Sequence, residues 1–167
     1  MLANDLLIDV FGRVRDGVNR SVEGLSEDDL AFRPDDKANS IAWLVWHLAR
    51  VQDNHIAGAA QAEQVWVKDG WSEKFGLPFE RMATGYGQAS DDVAAVRASE
   101  ELLGGYYDAV YDQTQEYLKS LNEDDYSKVI DENWDPPVML AVRLVSVASD
   151  TLQHAGQAGY VRGLFSR

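Results

Sequence analysis

Two of the three histidines in this sequence stand where an amphipathic helix would bury apolar side chains, and a carboxylate accompanies one of them. Asp150 precedes His154 by four residues, so on a helix the two lie one turn apart and about 40° from each other round the axis. His47 has the same kind of position in an earlier apolar segment. Carboxylates are rarely buried unless they are paired or bound to a metal ion. The pattern therefore indicates a cation or a hydrogen-bonding partner inside the fold.

A divalent metal ion fits this combination of residues. Two neutral imidazoles and one carboxylate suit zinc or nickel, and equally the open site of non-haem iron. Three protein ligands leave further coordination positions free for water or substrate. We therefore predict a metal site formed by His47, Asp150 and His154, with zinc as the first choice and nickel or iron as alternatives.

Other interpretations of these residues stay open. A lone histidine on an apolar helix face is more often a core residue than a ligand, and a bound metal can simply tie two helices together in a structural or assembly module. A metal-dependent hydrolase needs a general base beside the metal, and no second carboxylate stands in the same apolar stripe. The third histidine, His55, lies about 12 Å along a helix from His47, so it is predicted to be a rim or packing residue.

The helices that position these residues follow from apolar periodicity. In residues 138–165 the steps alternate between four and three, as on the buried face of a bundle helix: Leu140, Leu144, Val147, Thr151, His154, Ala158, Val161 and Phe165. Pro136 and Pro137 are predicted to open this helix, because proline is tolerated in a first turn. Three more helices are predicted: Leu2 to about Glu23, one that carries His47 and is capped by Asn39 or Ser40, and one from about Ser99 to Leu121.

The connections complete a single all-α domain, residues 1–167, built as a four-helix bundle. Residues 61–89 form a long crossover rich in aromatic residues, predicted to be a strap on the outside of the bundle that reaches the mouth of a pocket. A short helix is predicted from Ser90 to Arg97. Residues 24–30 and 120–126, GLSEDDL and SLNEDDY, resemble each other, as two related helical hairpins would require.

The composition excludes several classes of function. With 28 acidic and 15 basic residues the formal charge is −13, which disfavours nucleic acid and anionic membranes as partners. Cysteine is absent, so any thiol chemistry needs a thiol from outside the protein. Neither a signal peptide nor an apolar run of about 20 residues is found, and a cytoplasmic protein is expected.

Four motifs along the chain are similar to those of a known superfamily. They are NSIAWLVWHLARV from Asn39, WxxDGWxExFGLP from Trp66, WDPP from Trp134, and DTLQHAGQAGYVRG from Asp150. Together they resemble the DinB-like superfamily, and more narrowly its actinobacterial branch of thiol S-transferases, related to the N-terminal domain of mycothiol-dependent maleylpyruvate isomerase. Many DinB-like proteins have histidine at the position of Asp150, whereas the thiol-dependent isomerase branch has a carboxylate there too.

The resemblance implies a bundle of up-down-down-up topology, a divalent metal held by His47, Asp150 and His154, and a homodimer. It also implies an enzyme, a metal-dependent thiol S-transferase or isomerase, whose partners are a mycothiol-like low-molecular-weight thiol and an electrophile. Arg143 lies two turns before Asp150 on the same side of the helix, and Gln157 lies two turns after it. Either side chain can orient a ligand there, although the arginine can instead pair with the carboxylate.

Overall fold

Four long helices form the body of the protein, and shorter elements connect them. The structure, a computed structural model, describes residues 3–165 apart from the side chain of Phe165, so the predicted helix start at Leu2 lies outside it. In chain order the elements are α1 (Ala3–Val22), α2 (Glu27–Leu30), α3 (Ile41–Ala60), α4 (Val65–Lys68), α5 (Trp71–Phe75), α6 (Ser90–Ala95), α7 (Glu100–Ser120), a 3₁₀ turn (Glu123–Ser127), β1 (Val129–Asp131), β2 (Val138–Met139) and α8 (Leu140–Phe165).

The long helices α1, α3, α7 and α8 run up, down, down and up. α1 is antiparallel to α7, α3 is parallel to α7, and α8 is antiparallel to α3. Asn4 and Arg15 of α1 bond Leu118 and Asp108 of α7, and Arg50 and Ala59 of α3 bond Tyr106 and Tyr117 of α7. His47 packs on His154, and Leu44 and Val161 line one pocket, which gives the direction of α8. The expected all-α bundle is confirmed, with a two-stranded hairpin as its one addition among residues 3–165.

Side-chain caps fix where two of the bundle helices begin. The Ser40 hydroxyl accepts a hydrogen bond from the backbone N–H of Trp43 at 3.1 Å, and the Ser99 hydroxyl accepts one from that of Leu102 at 3.3 Å. Each bond satisfies an amide that has no partner within its helix. The first helix ends before Gly24, whose φ of +70° favours glycine.

The predicted apolar stripe of α8 is buried against the other long helices. Its buried members are Leu140, Leu144, Val147, Thr151, Ala158 and Val161. On the facing helices the largest fully buried side chains include Phe11, Trp46, Tyr106 and Tyr107. No helix within residues 3–165 has an apolar stretch long enough to span a bilayer.

The prediction that Pro136 and Pro137 open the last helix is wrong. Val138 and Met139 are still extended and pair antiparallel with β1, with Val129 opposite Met139. The first helical residue is Leu140, whose amide donates to the Lys128 carbonyl at 2.9 Å. Both prolines therefore lie in the hairpin loop, because pairing with β1 holds the chain extended for two residues beyond them.

The aromatic crossover is a strap on the bundle, as predicted. Its short helices α4 and α5 bury Trp66 and Phe75, and the Trp66 ring packs 5.1 Å from that of Tyr106 on α7. Tyr86, in contrast, is 92% exposed. The end of the crossover returns across α3 beside His47, and it is followed by α6, which matches the predicted short helix from Ser90.

Candidate metal centre

Three side chains from two helices meet at one point between α3 and α8. His47 comes from α3, and Asp150 and His154 come from successive turns of α8. Each offers one nitrogen or oxygen atom, and these atoms all lie within 4.8 Å of one another. Among residues 3–165 this is the one cluster of three or more His, Cys, Asp or Glu with such spacing. The geometry thus brings together the three residues that the sequence predicted as ligands.

The crossover fixes the orientation of His47. Its Nδ1 lies 2.5 Å from the carbonyl oxygen of Thr84, and because a carbonyl can only accept, Nδ1 carries the proton. Nε2 is then the atom left with a free lone pair. The Trp43 ring stacks on the imidazole with centroids 4.5 Å apart, and the side chain is only 6% exposed. His47 is therefore held in one tautomer and one orientation.

A parallel arrangement holds His154. Its Nδ1 lies 2.8 Å from the amide oxygen Oε1 of Gln157, one turn further along α8. Its Nε2 lies 3.5 Å from Oδ1 of Asp150. Both histidines thus direct Nδ1 to a neutral oxygen and turn Nε2 toward the cluster, as is usual for histidines that bind metals through Nε2.

The charges of the cluster are coupled. The interaction of its Nε2 with the accepting carboxylate of Asp150 raises the pKa of His154 in spite of burial, and the hydrogen bond with Gln157 acts in the same direction. Burial alone would raise the pKa of Asp150, but the bond with His154 and the neighbouring imidazoles outweigh it, so that pKa is lowered. Burial lowers the pKa of His47. Asp150 and His154 therefore stabilise each other's charged form, whereas burial disfavours the charged form of His47.

The residues present fit a divalent cation. Oδ2 of Asp150 is buried and has no hydrogen-bond partner in the described part of the chain, although an ionised carboxylate oxygen should have one. Two ligands on a tetrahedral zinc ion are about 3.4 Å apart, close to the 3.5 Å between Nε2 of His154 and Oδ1 of Asp150. The donor set, two imidazole nitrogens and one carboxylate, is also one that zinc prefers.

The cluster has one closed and one open side. His47 is buried under the crossover, whereas the side chains of His154 and Asp150 are 19% and 36% exposed. The two residues on α8 are therefore partly accessible to solvent, whereas His47 is not.

The other predicted site residues have protein partners. Arg143 donates to Asp131 of β1 at 2.9 Å, and both side chains are largely buried. Arg143 therefore pairs with the hairpin and not with Asp150, which was the alternative to a role in orienting a ligand. Gln157 bonds His154, as described above. His55 is half-buried, and its pKa is lowered first by burial and then by the charge of Arg143.

Sequence reasoning missed the contribution of Thr84 and Gly85. Thr84 acts through its backbone carbonyl, which no side-chain pattern reveals. At Gly85, with φ of +94°, a Cβ atom would lie 2.7 Å from Nδ1 of His47. The glycine among the crossover aromatics was the single available signal that the backbone passes close to another group there.

Comparison with known proteins supports the resemblance. A crystal structure described as a conserved protein of Enterococcus faecalis superimposes with a TM-score of 0.90 at 31% sequence identity, covering 97% of this chain and 96% of that one. None of the curated proteins compared with this chain matches it. The sequence model of the family described as Mycothiol-S-transferase matches residues 6–166. This chain therefore belongs to the mycothiol S-transferase family, within the DinB-like superfamily.

Proposed function

We propose that this protein is a metal-dependent S-transferase that activates a low-molecular-weight thiol of the mycothiol type for attack on an electrophile. The observation that carries the proposal is the cluster of His47, Asp150 and His154, open on one side, in a chain of this family that has no cysteine. Zinc is the expected ion, with nickel or iron as alternatives.

The cation would supply acidity, because coordination lowers the pKa of a bound thiol, ordinarily about 8.5, enough to give a thiolate at neutral pH. The chain's own residues hold the site ready for this. Nε2 of His47 and of His154 face the cluster, and each ring is kept in place by the bond at its Nδ1. Asp150 contributes one negative charge, which limits the net charge that the site presents to an anionic ligand.

The open side favours a catalytic role over a structural one. A structural metal site is normally closed by four protein ligands, whereas a catalytic site keeps a position for water or substrate. Only three candidate ligands meet here in the described chain, and two of them are partly exposed. We place the thiol and the electrophile on this exposed side.

Two neighbouring residues are the candidates for contact with the bound molecules. Arg143 is a largely buried cation two helical turns from Asp150 and can exchange part of its pairing with Asp131 for an anionic group of a ligand. Gln157 lies at the opposite end of the cluster, where its bond to His154 leaves the amide nitrogen to donate. A homodimer, expected from the resemblance, is checked by sedimentation of the purified protein.

The decisive experiment uses the protein as purified and a cobalt-substituted sample. We expect about one equivalent of zinc, nickel or iron per chain and none in His154→Ala. A small thiol such as 2-mercaptoethanol should change the visible spectrum of the cobalt protein, whereas ethylene glycol, its matched alcohol, should not. A spectrum indifferent to thiols would contradict the proposal and indicate a closed site. Turnover of esters or amides without any thiol would favour a hydrolase instead.

A further inference from the structure

The end of the crossover is bound by a row of side-chain donors, one from Trp66 of α4 and the rest from α3. The segment Arg81–Gln88, which we call the crossover segment, runs antiparallel to α3. The bonds are Trp66 Nε1 to Arg81 O at 2.7 Å, Arg50 Nη2 to Met82 O at 3.3 Å, Arg50 Nε to Ala83 O at 3.0 Å, His47 Nδ1 to Thr84 O at 2.5 Å, and Trp43 Nε1 to Gln88 Oε1 at 2.8 Å. Three consecutive carbonyls, 82 to 84, are thus held by Arg50 and the candidate ligand His47.

Arg50 is the fixed end of this arrangement. Its side chain is fully buried, and its charge is balanced by Asp53 at 3.5 Å. The guanidinium also donates to Gln64 and to the Tyr106 hydroxyl, and it lies over the Trp66 ring at 4.8 Å. A planar guanidinium with this many partners has little freedom, so the carbonyls that it binds are placed rigidly.

We infer that Arg50 is a positioning residue for the metal centre, acting on His47 through the backbone of residues 82–84. The inference rests on the proposed metal-binding function. Arg50 binds the carbonyls of Met82 and Ala83, which sets the position of the next carbonyl, that of Thr84. That carbonyl keeps the proton of His47 on Nδ1, so that Nε2 is presented to the ion.

Gly85 allows the backbone to come this close. A Cβ atom there would lie 2.7 Å from Nδ1 of His47, 3.0 Å from the Trp46 ring and 3.2 Å from the Trp43 ring. All three side chains are buried, so an alanine at this position forces the crossover segment away from α3. Gly87 provides a matched control, because it has a similar left-handed φ of +72° but no atom within 4 Å of an added Cβ.

The test compares Gly85→Ala with Gly87→Ala, and adds Arg50→Lys. Both glycine variants strain the backbone, but only Gly85→Ala disturbs the contact with His47. Arg50→Lys keeps a charge beside Asp53 while losing the fork that reaches two carbonyls. Zinc affinity is measured by competition with a chelating dye. The imidazole ¹⁵N shifts of the metal-free proteins report which nitrogen of His47 carries the proton. Circular dichroism confirms that each variant is folded.

We expect Gly85→Ala and Arg50→Lys to bind zinc about 10–100-fold more weakly than wild type, the usual cost of losing a partner of a ligating histidine. The ¹⁵N shifts of His47 should move toward a mixture of tautomers, while those of His154 stay unchanged. Gly87→Ala should match wild type in both measurements. Wild-type zinc affinity and unchanged His47 shifts in folded Gly85→Ala or Arg50→Lys would overturn the inference. If wild type itself binds no zinc, the proposed function fails, and the His47 shifts alone decide the positioning role.

Discussion

Replacement of Asp150 by alanine should remove most of the thermal stabilisation that zinc gives to this protein. An ion that binds only the folded chain stabilises it by RT ln(1 + [L]/Kd), about 2.7 kcal/mol at a free concentration of 100 Kd. The unfolded chain competes only weakly for zinc, because it offers three histidines and no cysteine as strong ligands. For a domain of this size, that free energy raises Tm by about 5–11 °C.

The expected loss follows from the geometry of the cluster. Asp150→Ala leaves the two Nε2 atoms of His47 and His154 but removes the carboxylate of the cluster. Losing an outer hydrogen-bond partner costs about 10–100-fold in affinity, so losing a ligand should cost at least about 100-fold. At the same zinc concentration the stabilisation falls to about 0.4 kcal/mol, a shift of about 1–2 °C. Without zinc the variant should unfold within about 1 kcal/mol of wild type, since the Asp150–His154 contact is long and partly exposed.

Differential scanning calorimetry of metal-free protein titrated with zinc measures both quantities. Asp112→Ala is the matched control, because it removes an exposed carboxylate from α7 and should leave the zinc-induced shift as in wild type. An undiminished shift in Asp150→Ala would show that this carboxylate is not a ligand, which refutes the reasoning. A wild type that zinc does not stabilise would refute the metal site as a whole.

Four further predictions concern the cluster and its support. Asp150→His should still bind zinc, because a third imidazole keeps the number of ligands, and titration calorimetry should find an affinity well above that of Asp150→Ala. Zinc affinity should rise as pH rises through the raised pKa of His154, because Nε2 must lose a proton to bind, and titrations in two buffers should show about one proton released. In the metal-free protein the pair of Asp150 and His154 stabilises the fold at pH values above the lowered pKa of Asp150 and below the raised pKa of His154. Urea unfolding should show that this stabilisation is lost as the pH rises through the pKa of His154. Asp53→Ala should lower the free energy of unfolding by about 3–5 kcal/mol because Arg50 is left buried without its counter-charge. Asp9→Ala, which breaks an exposed pair, should leave that free energy nearly unchanged.

The candidate ligands could be found from the sequence because their types conflict with their positions. A histidine in an apolar stripe, and a carboxylate one turn before it, are visible in periodicity alone, and α3 and α8 did bring His47, Asp150 and His154 together. The resemblance of residues 24–30 to 120–126 also has a local counterpart. Asp29 accepts the amide of Ser26 at 3.0 Å, and Asp125 accepts that of Asn122 at 2.7 Å, so both segments form short capped turns.

What the sequence left open depends on contacts between distant backbone atoms. The Thr84 carbonyl accepts a hydrogen bond from His47, which is 37 residues away in the sequence. Any residue at position 84 could supply that backbone carbonyl, so the residue type there does not reveal the bond. The hairpin was missed for a related reason: Pro136 and Pro137 are as compatible with a loop as with a first helical turn, and only pairing with β1 decides between them. The same pairing supplies Asp131, which binds Arg143 in place of Asp150.

The use of backbone carbonyls by the crossover segment has an evolutionary consequence. Met82, Ala83 and Thr84 contribute main-chain oxygens to α3, so substitutions that keep the backbone path leave those bonds in place. Met82 and Tyr86 are 49% and 92% exposed. Selection can therefore vary this surface while the histidine beneath it stays correctly oriented. Gly85 is the exception, because any side chain there meets the imidazole.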